Sequence, residues 1–83
     1  MSKKKVNIFG TTGSIGQSTL QVLRRYKGKY DFIVFSAHDN VDQLIKDCLE
    51  FKPQYANIGN EKHFLKLKNA LHDTDISLSY GRD

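Results

Sequence analysis

The chain has one cysteine, one proline and no long apolar run. A single Cys48 excludes an internal disulfide and fits a reducing, cytoplasmic setting. Apolar stretches fall far short of the roughly 20 residues a membrane span needs. After the basic start, Val6-Asn7-Ile8-Phe9 stops at Gly10, too short for the apolar region of a signal peptide, so no membrane partner is expected. Basic residues outnumber acidic ones 13 to 9, a formal charge of +4. They do not interleave with aromatics along one face, which argues against nucleic acid as a partner. The excess attracts any polyanion, a cofactor phosphate included, while Lys3-Lys4-Lys5 reads as a solvated leader.

Other chemistry is missing as well. His38, His63 and His72 stand at no metal-ligand spacing from one another or from Cys48. No paired carboxylates and no nucleophile with an adjacent base stand out. Neither a metal ligand nor a catalytic residue is assigned. His63 and His72 read as surface positions of a third helix, and Cys48, on the apolar stripe of a second helix, as a buried structural thiol.

Eighty-three residues allow one small domain with a thin core. Within it, short β-like runs alternate with amphipathic stretches. Val6–Phe9 reads as a buried parallel strand before a glycine turn. A first helix starts near Ser14, with Ile15, Thr19, Val22, Leu23 and Tyr26 on one face and Gly28 as its stop. Phe32–Phe35 is a second strand, apolar on both sides. Asn40 caps a second helix carrying Val41, Leu44, Ile45 and Cys48 inward, and Lys52-Pro53 ends it. Tyr55–Ile58 is a third strand. Asn60 caps a third helix with Phe64, Leu67, Ala70 and Leu71 inward, and Ile76–Tyr80 alternates as a fourth strand. The order β-α-β-α-β-α-β predicts an α/β fold: a partial Rossmann-type, doubly wound parallel sheet. Strand four is expected to open its second half.

Gly10, Gly13 and Gly16 form G-x-x-G-x-x-G between the first strand and the first helix. Such a turn needs glycine to leave the strand sharply, to let backbone approach a pyrophosphate, and to pack the helix closely. Free N–H groups at the helix start then face the phosphates, and the helix dipole favours negative charge there. Thr11, Thr12 and Ser14 add hydroxyls. A P-loop is excluded, because Gln17-Ser18 follows Gly16 where that loop needs lysine. The expected ligand is a nicotinamide dinucleotide. At the end of strand two, His38-Asp39-Asn40 would meet the adenosine ribose. Asp39 lies 23 positions after Gly16, close to the ~20 of an acidic ribose ligand, which taken alone favours NADH over NADPH. An acid that merely begins a helix explains Asp39 equally well.

The run from Val6 to Gly16 resembles the opening of the 1-deoxy-D-xylulose 5-phosphate reductoisomerases, with Thr11 where serine is usual. The likeness continues through Asn40-Val41 and Glu50-Phe51-Lys52-Pro53-Gln54-Tyr55 into the fourth strand. It implies an NADPH-dependent enzyme of non-mevalonate isoprenoid biosynthesis, homodimeric and dependent on Mg²⁺ or Mn²⁺. By that resemblance residues 1–83 are an N-terminal dinucleotide-binding domain, incomplete and inactive alone, with the catalytic and C-terminal domains absent. Gly10, Thr11, Thr12, Gly13, Ser14, Ile15, Gly16, His38, Asp39 and Asn40 are the expected cofactor-binding residues. His38 and Asp39 stand where the family has a small residue and a cation, which leaves NADH open beside NADPH. Another NAD(P)-dependent oxidoreductase, such as a semialdehyde dehydrogenase or dihydrodipicolinate reductase, and a non-catalytic remnant are the alternatives. A fourth strand at a sheet edge would invite self-association.

Overall fold

In the computed structural model, which describes residues 3–81, the expected alternation is present. It runs β1 Lys4–Ile8, α1 Ser14–Leu23, β2 Tyr30–Ala37, α2 Val41–Phe51, β3 Tyr55–Ile58, α3 Phe64–Ala70 and β4 Ser77–Tyr80, with 3₁₀ turns at Arg24–Lys29 and Glu61–His63. Residues 1, 2, 82 and 83, the ends of the expected 1–83 domain, lie outside the described part. All strand pairs are parallel, and the sheet order is β1-β2-β3-β4.

That order corrects the expected place of the fourth strand. β4 pairs with β3, Tyr55 opposite Ser77 and Ile58 opposite Tyr80, so it extends the first half of the sheet and does not begin a second half beside β1. Right-handed crossovers that step one way along a sheet put every helix on the same face. Side-chain contacts agree: Gln17 of α1 reaches Asp47 of α2, and Lys66 of α3 reaches Asp42 of α2. Val34, Ser36, Tyr55, Asn57 and Ser79 line an open cleft. The one irregularity lies between β1 and β2, where the register skips Ile33 after Val6↔Phe32. The skip turns both Phe32 and Phe35 toward the helices, where they meet Phe51 edge-on at 5.0 and 5.9 Å between ring centres. This aromatic triad anchors a core that includes Leu20, Leu44, Cys48, Ala56, Ile58, Leu67 and Leu71.

α2 buries Val41, Leu44 and Cys48, with Ile45 half-buried, as its periodicity predicts. α1 does not bury its predicted face. Ile15 is 84% exposed and Val22 63% exposed, and Thr19 and Tyr26 are also exposed. The buried positions are Gly16 and Leu20, with Leu23 packed beside them. The close approach at Gly16 rotates the helix so that this glycine, and not Ile15, meets the turn. α1 also ends at Leu23, with Gly28 inside the following 3₁₀ turn. There Arg24 and Lys27 lie over the Phe51 ring and pair with Glu50. β1 starts earlier than expected, because Lys4 and Lys5 pair in register with Tyr30 and Asp31, so two of the three leading lysines are strand. Phe9 falls in the turn and is exposed. Ala70 is exposed, so α3 holds the core through Leu67 and Leu71.

The rotated α1 face gives a stability test. Leu44→Ala should cost about 2–5 kcal/mol in urea denaturation, whereas Ile15→Ala and Val22→Ala should each stay within about 0.5 kcal/mol. A Val22→Ala loss as large as that of Leu44→Ala would contradict the orientation.

Candidate functional site

The turn between β1 and α1 is built almost entirely from backbone. Gly10 has φ +69°, a left-handed conformation that glycine adopts without penalty. Gly13 donates to the Gly10 carbonyl at 3.0 Å and accepts from Gln17 N at 2.9 Å, which closes the turn and starts the helix. A Cβ on Gly16 would sit 2.5 Å from both the Gly10 and the Thr11 carbonyl oxygens, so only glycine lets α1 pack this closely. Two of the three glycines are thus required by geometry in this structure.

The end of β2 clamps the turn from the other side. Gly10 N donates to Ser36 Oγ at 3.0 Å, and Thr11 N donates to Ser36 O at 2.6 Å. Thr11 is fully buried, with its hydroxyl donating to Ile8 O at 2.8 Å and accepting from Ser36 N at 3.0 Å. Thr11 therefore supports the turn from within, and its hydroxyl does not face solvent. Thr12 is half-buried, and Gly13, Ser14 and Ile15 are exposed on the outer side of the turn.

The start of α1 differs from that of α2 and from the 3₁₀ turn that leads into α3, while α3 itself, like α1, begins without a side-chain cap bond. α2 is capped by Asn40, whose Oδ1 accepts from Gln43 N at 3.2 Å, and carries Asp42 in its first turn. α3 is entered through a 3₁₀ turn that Asn60 caps, with Glu61 in that turn. At α1 the cap is Gly13, which has no side chain, and no acid lies in the first turn. The first N–H groups of α1 thus lack a side-chain acceptor and sit at the positive end of the helix dipole, which suits an anion.

The second expected element lies one strand over, as the parallel order requires. His38 and Asp39 follow β2 and are exposed, and Asn40 is engaged as the α2 cap. Asp39 Oδ1 accepts from Asn60 Nδ2 at 2.8 Å, with His63 Nε2 at 3.9 Å and His38 Nε2 3.7 Å from the other oxygen. The Asn60 hydrogen bond, helped by the two imidazoles and Lys62, holds the Asp39 carboxyl below its ordinary range. His63 is half-buried beside Asp39, so it belongs to this cluster and is not a plain surface residue of α3. Asn60 and His63 were not among the expected site residues. Ser36 was also missed, although a hydroxyl ending an apolar strand was its visible signal.

Behind the turn lies a buried acid. Asp47 is 2% exposed, and its Oδ2 accepts from Gln17 Nε2 at 2.8 Å and its Oδ1 from Gln43 Nε2 at 3.0 Å. Burial raises its carboxyl above the ordinary value against the pull of those two donors. Burial also pushes the neighbouring Cys48 thiol up to about 12, which keeps it protonated and inert near neutrality, as a structural thiol should be. Among the described residues, no three His, Cys, Asp or Glu side chains are arranged to hold a metal ion, and no helix is long and apolar enough to cross a membrane.

Comparison with known proteins points to one family. The sequence profile of the 1-deoxy-D-xylulose 5-phosphate reductoisomerases matches residues 6–83. The chain is 41% identical over 80 residues to the reductoisomerase of Agathobacter rectalis, covering 96% of this chain and 21% of that protein. It is 42% identical over 80 residues to that of Tolumonas auensis, covering 94% and 20%. Among solved structures, the reductoisomerase of Zymomonas mobilis in complex with NADPH superposes with a TM-score of 0.92 at 32% identity, covering 98% of this chain and 22% of that one. A reductoisomerase in complex with NADPH, fosmidomycin and magnesium superposes with a TM-score of 0.86 at 28% identity, covering 94% and 19%. The chain spans about a fifth of the length of the relatives it matches.

Two outcomes follow from the geometry. Gly16→Ala should lower stability by about 1–3 kcal/mol or more through overpacking against fixed carbonyls, while Gly28→Ala, which meets nothing within 4 Å, should be tolerated; equal losses at the two positions would contradict the close packing. The second concerns pH. Because the Asp47 carboxyl is raised above 3.8, the stability it contributes is whole below that value and declines as pH rises through its folded-state value. Asp39, Asp42 and Glu50 are shifted the other way, so theirs is whole above the ordinary carboxylate range and lost as pH falls. Subtracting the stability of Asp47→Asn from that of the unaltered chain isolates Asp47. The difference should move in favour of the variant as pH rises from the ordinary aspartate value, and a flat difference would contradict the burial argument.

Proposed function

The chain belongs to the 1-deoxy-D-xylulose 5-phosphate reductoisomerase family, and from that premise we propose that it binds the dinucleotide cofactor of such an enzyme. The observation that carries this reading is the start of α1: a helix end with neither side-chain cap nor acid, after a turn in which a Cβ would be strained at Gly10 and blocked at Gly16. The N–H groups of Ser14, Ile15 and Gly16 would take the pyrophosphate, with Thr12 and Ser14 hydroxyls beside them. Gly10 and Gly13 hold the turn open to the ligand, and Thr11 holds it in place from inside. His38, Asp39 and Asn40 stand at the adenosine end. Residues 1–83 are in this reading a dinucleotide-binding domain.

NADPH is the favoured ligand. It is the cofactor named for the solved reductoisomerases that superpose on this chain, and the Asp39 charge, which alone would repel a 2′-phosphate, is engaged by Asn60 and flanked by His38 and His63. NADH is the second reading, resting on the exposure of that same firmly ionised carboxylate. When bound, NADPH supplies the hydride for the reduction step. What this chain does is grip and orient it.

The whole enzyme would rearrange 1-deoxy-D-xylulose 5-phosphate and reduce the product to 2-C-methyl-D-erythritol 4-phosphate, in the cytoplasm and as a homodimer. A divalent metal, Mg²⁺ or Mn²⁺, would serve that reaction, but no three His, Cys, Asp or Glu side chains among the described residues are arranged to hold one. Residues 1–83 alone are expected to bind cofactor without turnover.

Fluorescence titration of the chain with NADPH and NADH tests the proposal. Saturable NADPH binding, tighter than NADH and absent in Gly16→Ala, is the expected result. No saturable binding of either nucleotide would overturn the proposal and leave a remnant without nucleotide affinity. Tighter binding of NADH would transfer the assignment to the second reading.

A further inference from the structure

The Gln17–Asp47 pair joins α1 to α2 directly behind the glycine turn, and the turn alone does not account for it. Gln17 Nε2 carries two hydrogens. One is given to the Thr11 carbonyl at 3.0 Å and the other to Asp47 Oδ2 at 2.8 Å. The second Asp47 oxygen receives Gln43 Nε2 at 3.0 Å from the same helix. Asp47 is thus flanked by two amide donors, and its ionised carboxylate presents a strong acceptor to both, whereas a protonated one would offer the second donor only a weak hydroxyl oxygen. An asparagine of the same shape would offer one oxygen and one NH₂, so one of the glutamines would have to turn over. Either way the hold on Thr11 weakens: turning Gln17 sets its carbonyl oxygen against the Thr11 carbonyl, and turning Gln43 leaves Gln17 bonded to a neutral amide oxygen in place of a carboxylate.

We propose that Asp47 is a positioning residue for the dinucleotide turn: acting through Gln17, it holds the Thr11 carbonyl and so fixes the aim of the amides that follow. The Thr11 carbonyl is one of the two oxygens against which Gly16 packs, so its position sets where the first turn of α1 lies relative to the end of β1. The polarity of the pair also matters. Placing an acid in the core between Leu44 and Cys48 lowers stability by desolvation, and Gln17 with Gln43 offsets only part of that. A residue kept solely to join two helices would do better as an apolar one. Neighbouring charges are Glu50 one turn along α2 and Arg24 in the 3₁₀ turn after α1, which act on Asp47 with opposite sign.

This inference rests on the dinucleotide reading above, and the test separates the two. The full 83-residue chain and its Asp47→Asn, Asp47→Glu and Gln17→Met variants are titrated with NADPH, and the Tm of each is measured. Losing one oriented hydrogen bond should weaken NADPH binding about three- to tenfold in Asp47→Asn and in Gln17→Met. The double variant Asp47→Asn/Gln17→Met should be no weaker than the weaker single variant, because both act through one contact. Asp47→Glu, which keeps both acceptor oxygens but strains the packing, should retain more affinity than Asp47→Asn while having the lower Tm. Affinities that follow Tm across the series would overturn the proposal, since a purely structural role predicts that order. Unaltered affinity in both Asp47→Asn and Gln17→Met would also overturn it and would leave the dinucleotide reading standing. No saturable NADPH binding by the unaltered chain would remove both.

Discussion

The structure depends on one close approach. Gly16 of α1 packs where a Cβ would lie 2.5 Å from two backbone carbonyl oxygens of the preceding turn. That contact brings the helix against the strand end, rotates α1 so that Leu20 enters the core and Ile15 faces outward, and leaves the first N–H groups of the helix at the open mouth of the turn. Under the proposed function, binding and folding draw on the same few atoms. A small parallel sheet has little core to spare. Here the backbone of the glycine turn is braced by the sheet itself through Ser36, and by the buried Gln17–Asp47 pair behind it.

Much of this was legible before any coordinates. The glycine spacing located the turn, the apolar run Phe32–Phe35 located the central strand, and Val41, Leu44 and Cys48 located the buried stripe of α2. Those signals are local, and local periodicity determines them. The misread features are set by tertiary contact. Ile15, Thr19 and Val22 have the spacing of a buried face, but helix rotation is decided by the glycine contact and not by periodicity. The pairing of β4 with β3 in place of β1 is a choice between sheet edges to which strand composition is blind. Lys4 and Lys5 looked like a solvated leader because their side chains are exposed, while their backbones lie in the ladder. Asp47 drew no reading from the sequence: Gln43 stands one helical turn before it on α2, but Gln17 becomes its partner only through the packing of α1 beside α2.

Family membership and geometry support each other at the turn and diverge in the loop after β2. At the turn, the run that resembles the family's opening includes Gly13, Ser14 and Ile15, which the structure exposes at an uncapped helix start. After β2, this chain has His38 and Asp39 where a cation is expected, and it surrounds the carboxylate with Asn60 and His63 from the loop after β3. The Asp39 charge is therefore tied into a local network shared by two loops, and under the proposed function any preference between NADPH and NADH would rest on that network and not on Asp39 alone.

The most direct test of the central claim is the amide region of the NMR spectrum during addition of NADPH. The account predicts that the largest shifts fall on the backbone N–H groups of Gly13 to Gly16, with smaller ones at His38 to Asn40. Shifts centred elsewhere, for instance on the cleft lined by Pro53, Tyr55 and Asp75, with the glycine turn unmoved, would contradict it.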